Sequence, residues 1–314
     1  MARGMRQQPA FDVLICGSLH LDIVVTSPHL PGLDETVTGS GWAQVCGGKG
    51  GNQAVMAARL GCKTAMIGAV GDDDFGKHLI ANLHAANVDC RAVITDTASE
   101  TGMSVAILNA SGEYGAVIVS GCNLALNPNR CAQHLDALGG AQVLVLQNEI
   151  PEAVNIAVAG AARHSGTRVI LNAAPAREMN AALLNLIDVL VVNRVEAQML
   201  SGQPVFDAPS AVAALPALRI GQMDIIITLG GAGLIFKAYG DAPVIVLPHS
   251  VTVVSTHGAG DCFIGALATA LARSDTLADA CVFANQCAAR YVTLPLEDRH
   301  LIAKTLEDGH APAY

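Results

Sequence analysis

The segment Thr256-His257-Gly258-Ala259-Gly260-Asp261 places one carboxylate directly behind three small residues. Beyond it, Phe263, Ala266, Leu267, Ala270 and Leu271 recur at helical spacing, which predicts a helix opening at the Gly-Ala-Gly turn. The first amides of a helix have no internal acceptors, and its dipole is positive at that end. Small residues leave those N–H groups open to an approaching anion. A carboxylate there would repel the anion if binding were the only task. It has a use if it takes the proton of a hydroxyl that attacks a phosphoryl group held by the amides. An acid in a first helical turn also has a plain structural use, but that use does not explain the small residues before it.

A second turn, Gly47-Gly48-Lys49-Gly50-Gly51-Asn52, precedes a helical pattern with Ala54, Ala57 and Ala58 on one face. Its glycines would let a ligand touch backbone, and Asn52 offers both a donor and an acceptor. The GxxxxGK[ST] spacing is absent, and no GxGxxG follows a first strand, which weighs against a nucleotide-dependent oxidoreductase. Asp22 follows the first strand, where open α/β sheets place ligands, and an ionised carboxylate can accept from both hydroxyls of a sugar diol. Asn193 and Glu196 lie three apart where a strand meets a helix, which puts two oxygen ligands on one face. The same pair reads equally as an ordinary helix start.

These residues need a scaffold. From residue 142 onward, short apolar runs (142–147, 168–172, 188–192, 224–229) alternate with helical stretches at 152–164, 179–186, from 194, and at 208–219. With the runs at 11–17 and 64–70, the pattern predicts an α/β fold with a mainly parallel sheet covered on both faces. Residues 18–45 and 88–121 instead show short strand-like pieces with little helical period, and Asn109-Ala110-Ser111-Gly112 reads as a hairpin turn. The expected division is a body of 1–17, 46–87 and 122–314 and a β-sheet lid of 18–45 and 88–121. Such a lid buries little by itself, so it covers a site or pairs with a second subunit. The tail from residue 305 is expected to be loose.

Composition agrees with a large buried sheet: 52% of residues are hydrophobic and 14% charged. The net charge of −9, without a dense basic run, disfavours nucleic-acid binding and leaves an anionic substrate to local donors. No apolar stretch reaches membrane-span length, and residues 1–17 have no signal-peptide core, so a cytoplasmic protein is expected. The nine cysteines contain no CxxC pair and read as small core residues.

The two turns together resemble a known family. GGKGGNQA with ARLG and GAVGDDDFG (68–76), and STHGAGDCFIGAL, resemble the two signatures of the ribokinase-like (PfkB) carbohydrate kinases. Colinear pieces at 17–22, 31–39, 100–109, 146–151, 171–177, 191–197 and 227–233 extend the resemblance along nearly the whole chain, and the first signature is most similar to the ribokinase branch. The resemblance implies ATP-dependent phosphorylation of a sugar hydroxymethyl, with Mg²⁺, and often a homodimer joined through the lids. It assigns Asp261 as base and Gly258, Ala259 and Gly260 as the anion hole. It gives Asp22, Gly48, Lys49, Gly50, Gly51, Asn52 and Glu149 to the sugar, with His20 at the same site. Asn193 and Glu196 would organise Mg²⁺ and phosphates, Thr228, Gly230, Gly231 and Gly233 would lie along ATP, and Asn285 near the adenine.

Three positions depart from the family pattern. Ser255 stands where the family has an Asp beside a monovalent-cation site, and the segment after Tyr291 lacks the Gly- and Ser-containing stretch that completes that site. K⁺ activation is therefore expected to be weak or absent. His20 stands where ribokinases have Asn. The sequence reading is thus a kinase for ribose or a related pentose or hexose, with a nucleoside kinase and a non-catalytic sugar- or nucleotide-binding regulator as alternatives.

Overall fold

The computed structural model describes residues 9–109, 114–218 and 221–307. The Asn109–Gly112 turn lies largely, and the tail beyond 307 wholly, outside the described residues, while residues 305–307, expected to be loose, complete the helix Ile302–Glu307. The first third contains β1 (Phe11–Cys16), β2 (His20–Thr26), β3 (Gly41–Gly47), α1 (Lys49–Arg59), β4 (Thr64–Gly71), α2 (Asp74–Ala85) and β5 (Asp89–Asp96). Then come β6 (Gly102–Leu108), β7 (Tyr114–Val119), α3 (Pro128–Ala137), β8 (Ala141–Gln147), α4 (Glu152–Ser165), β9 (Arg168–Asn172), α5 (Ala181–Leu184), β10 (Val189–Asn193) and α6 (Arg194–Ser201). The last part holds α7 (Ala208–Leu218), β11 (Asp224–Thr228), β12 (Leu234–Lys237), β13 (Val244–Val246), α8 (Ala259–Ala272), α9 (Leu277–Tyr291) and α10 (Ile302–Glu307).

Among the described residues, nine strands form one sheet in the order β13-β12-β11-β10-β9-β8-β1-β4-β5. All its pairings are parallel except the last two, β11–β12 and β12–β13. The central strands are apolar on both faces because helices cover both. Leu14 and Leu144 point into a core shared with α3 to α7, while Val13, Ile15, Val143 and Val145 point into one shared with α1, α2, α8 and α9. β1 is the switch point: the chain builds outward through β4 to one side and through β8 to the other. Ligands in open α/β sheets bind beyond the carboxyl ends of such strands.

The small sheet has the order β3-β2-β6-β7. It is mixed, since β2 runs parallel to β6 and antiparallel to β3. Strand β5, expected in the lid, pairs instead with β4 at the edge of the large sheet. Helix α2 supplies the crossover that makes this a βαβ unit, and the edge position leaves β5 half-buried, so its alternation imitates a lid strand. Strand β3 also continues to Gly47, two residues past the expected boundary at 45.

Each face of the small sheet has a distinct chemistry. Val45, Asp22, Ser104 and Ile118 stand side by side on one face, with His20 beside Gly47 and Gly102 in the row below. Gln44, Ile23, Val105 and Val117 form a row on the opposite face, where Trp42 also stands. Trp42 and Val117 are 69% and 68% exposed.

Candidate active site

Helix α8 begins where the sequence predicts. Gly258 adopts φ 73°, the left-handed conformation that only glycine takes without strain, and turns the chain into the helix. The N–H of Ala259 bonds back to the Thr256 carbonyl, but the N–H groups of Gly260 and Asp261 find no acceptor among the described residues. A Cβ on Gly260 would meet nothing within 4 Å. Two unbonded amides therefore stand beside a carboxylate, on residues that line a cavity.

The carboxylate is held from α1. Asn52 Nδ2 donates to Asp261 Oδ2 at 2.9 Å and Gln53 Nε2 to Oδ1 at 3.0 Å. Gln53 is fixed in turn: its Nε2 also reaches Asn172 Oδ1, and its Oε1 accepts from Gln147 Nε2 at 2.8 Å. The crossing of α1 and α8 makes this possible. At Gly265, one turn beyond Asp261, a Cβ would come 2.6 Å from the Met56 Cβ, so only glycine allows the helices this close. Burial pushes the Asp261 pKa up, and Lys49 with the Asn52 and Gln53 donors offsets only part of that. A base shifted toward neutrality is the better proton acceptor.

The glycines of the first turn mostly serve packing. A Cβ at Gly48 would lie 2.7 Å from the His20 nitrogen, and one at Gly50 would lie 2.7 Å from Gly17 and Ser18 backbone atoms. The Gly51 N–H bonds to the Ser18 carbonyl at 3.0 Å. Glu149, on the loop after β8, joins the same corner. Its Oε2 accepts from Ser18 Oγ at 2.5 Å and from the Lys49 N–H at 2.9 Å, so it caps α1. Lys49 Nζ lies 3.9 Å from Glu149 Oε1. Burial alone would lower the Lys49 pKa, but Asp261, Glu149, Glu196 and Asp22 together carry it above its ordinary value. The ammonium is therefore the positive centre of four carboxylates.

Two cavities flank the Lys49–Glu149 pair, one lined by each residue. One, of about 160 Å³, is lined by Lys49, Asn193, Glu196, Thr228, Gly258, Ala259, Gly260 and Asp261, among others. A second, of about 390 Å³, is lined by His20, Ile118, Asn148 and Glu149 and lies against the small sheet. Asp22 stands on the same sheet face as His20 and accepts from Ser104 Oγ at 2.5 Å. His20 is buried, its Nε2 has no partner, and burial lowers its pKa against the opposing pull of Glu149 and Asp22, which favours the neutral ring. Asn193 and Glu196 form a reciprocal capping box at the start of α6, so the structural reading of that pair holds. Glu196 still lines the smaller cavity, and burial raises its pKa.

Gly230, Gly231, Gly233 and Asn285 line neither cavity. Gly230 and Gly231 are exposed and border open space, and Asn285 Nδ2 bonds the Leu247 carbonyl at 2.9 Å. A Cβ on Gly233 would meet the Val246 carbonyl oxygen at 2.2 Å. Sequence reasoning missed Gln53, Gln147 and Ser18. A glutamine inside an apolar helix face and another closing an apolar strand were the available signals.

The chain is similar to known proteins along most of its length. Mouse (Mus musculus) ribokinase is 34% identical over 273 residues, 86% of this chain and 84% of that protein. Ribokinase of Haemophilus influenzae is 34% identical over 280 residues, covering 89% and 91%. The structure of Arabidopsis thaliana ribokinase complexed with ribose and ATP superposes with a TM-score of 0.86 at 30% identity, over 96% of this chain and 99% of that one. Residues 10–296 match the description pfkB family carbohydrate kinase, and the chain belongs to that family.

Proposed function

We propose that this protein is an ATP-dependent sugar kinase that phosphorylates a primary hydroxyl of ribose or a closely related sugar. The observation that carries the reading is the pair of free amides at Gly260 and Asp261 beside a carboxylate held by Asn52 and Gln53. Asp261 accepts the hydroxymethyl proton as the oxygen attacks the γ-phosphorus of ATP. The Gly260 and Asp261 N–H groups and the positive end of α8 take up charge on the transferring phosphoryl, which leaves ADP. Lys49 adds a cation on the cavity wall.

The donor set suits a hard divalent ion that keeps water and phosphate ligands. No cluster of three or more His, Cys, Asp or Glu that could hold a metal exists among the described residues, so Glu196 would be the protein's contribution, with Asn193 fixing it. Mg²⁺ would supply neutralisation of the phosphate oxygens. Thr228 and the open Gly230-Gly231 turn would border the nucleotide.

On the sugar side, Asp22 grips adjacent hydroxyls, and the unpartnered His20 Nε2 gains a hydroxyl partner when sugar binds. The separate four-stranded sheet supports a division into a body and a lid, and its exposed apolar face carrying Trp42 and Val117 supports a homodimer joined through the lids. No helix among the described residues is long and apolar enough to cross a membrane, in keeping with work in the cytoplasm.

A panel of ribose, other sugars and nucleosides, assayed for ADP release from ATP, tests the reading. The highest kcat/KM on ribose or a related sugar is expected. A nucleoside as best substrate would favour the nucleoside kinase, toward which His20 leans and Lys49 does not. Tight ligand binding with no ADP release from any substrate would favour the regulator.

A further inference from the structure

The turn that leads into the anion hole is held by a buried arginine. Arg299 belongs to the short helical turn Leu296–Leu301, which follows α9, and is 4% exposed. Its Nη1 donates to the His257 carbonyl at 2.5 Å and its Nη2 to the Ser255 carbonyl at 2.8 Å. The guanidinium lies over the Tyr291 ring, 4.4 Å from its centre. The Tyr291 hydroxyl in turn stands 3.1 Å from where a Gly258 Cβ would be. Arg299 forms no ion pair with a carboxylate among the described residues, and its Nε is buried without a partner.

Burying a cation that no carboxylate neutralises costs free energy, so its charge calls for a use elsewhere. Two consequences fall on the anion hole. The His257 carbonyl, just before the N-cap Gly258, is tied to Arg299, which fixes the turn from which the free Gly260 and Asp261 amides start. The charge also sits beside the turn whose next residues line the phosphoryl cavity. Ser255 and the segment after Tyr291 are the two places where the family resemblance implies an exchangeable monovalent ion. The residues present do not fit one: Ser255 brings no charge, and a guanidinium already joins the two segments.

We propose that Arg299 is a built-in cation, a positioning residue that fixes the 255–258 turn, and so the direction of the free amides that follow it, and adds permanent positive charge behind the transferring phosphoryl group. The inference rests on the kinase reading and goes beyond it.

Steady-state kinetics of the wild type, Arg299→Gln and Arg299→Lys in Na⁺, K⁺ and choline buffers test it, with and without millimolar guanidinium. Wild-type kcat should agree within about twofold across the three buffers, since no exchangeable ion is needed. Arg299→Gln should raise KM for ATP and lower kcat, each by about tenfold, with sugar KM unchanged. Arg299→Lys should retain most of the activity, and guanidinium should restore part of the Gln variant's. A many-fold wild-type rise from Na⁺ to K⁺, equal activity of the Gln and Lys variants, or a Gln defect that no cation relieves would each overturn the proposal. If the Gln variant does not fold, the Lys variant decides: ATP KM near the wild-type value supports the proposal and a tenfold increase overturns it. Absence of wild-type turnover would strike the kinase reading alone. ATP binding by thermal shift would then carry the same comparison, with binding weakened in Gln supporting the proposal and binding equal to the wild type overturning it.

Discussion

The two glycine-rich turns look alike in sequence and do opposite work in the fold. In Gly47–Gly51 the glycines let the start of α1 press against residues 17–20, and added methyl groups at Gly48 and Gly50 would collide with backbone. In Gly258–Gly260 only Gly258 is needed for its backbone angle, while Gly260 faces empty space and an unbonded amide. A glycine therefore says little until its missing Cβ is placed. In the proposed reaction the first turn would hold the donors that aim the base, and the second would present the amides that meet the phosphoryl group.

The same substitution in each turn would break or sharpen this contrast. Gly260→Ala should leave stability unchanged and lower kcat by about 10²-fold, because displacement of a reacting group by roughly an ångström has that effect. Thermal melts and initial rates check it, and a large loss of Tm would contradict the assignment of open space. Gly50→Ala should instead destabilise the fold by about 1–3 kcal/mol, read from urea midpoints, because the neighbouring backbone cannot yield cheaply.

Smaller effects separate the turns from their supports. Gln53→Leu removes a donor to the ionised Asp261 and should lower kcat about tenfold. The base must be ionised to work, so activity falls as pH drops through its raised pKa, and losing this donor moves that acid limb to still higher pH. A pH–rate profile with an unmoved limb would remove Gln53 from the site. His20→Asn should change sugar KM by about threefold while kcat and ATP KM hold, as expected for one neutral hydrogen-bonding partner. If the chain pairs through its small sheet as proposed, Trp42→Ser with Val117→Ser should weaken self-association on size-exclusion chromatography and change the rate per chain least.

Much of this was legible in the sequence, and the failures have a common cause. The Asp261 turn, the helix behind it and the central strands follow from local spacing and apolar runs. β5 was misassigned because a half-buried edge strand carries the same alternation in either sheet. Gln53 and Gln147 read as strays in apolar elements; their partners are 208 and 94 residues away in sequence. Arg299 sits within Leu-Glu-Asp-Arg-His, which reads as a solvated charged turn, and only contacts 42 and 44 residues distant bury it. Chemistry read from one segment was recoverable, whereas chemistry assembled across segments was not.

The central claim is that Asp261 is a proton acceptor and not a structural acid, and Asp261→Asn tests it most directly when rate, ligand binding and stability are measured together. Its folded pKa is raised, so any stability it contributes is present below its unfolded pKa and lost as pH rises through the folded one; ionised at pH 8, it burdens the fold. The account predicts that the Asn variant binds sugar and ATP as the wild type does, melts no lower at pH 8, and loses kcat by about 10²–10⁴-fold. Turnover at the wild-type rate, or a lost rate accompanied by a lower melting temperature and lost binding, would contradict it.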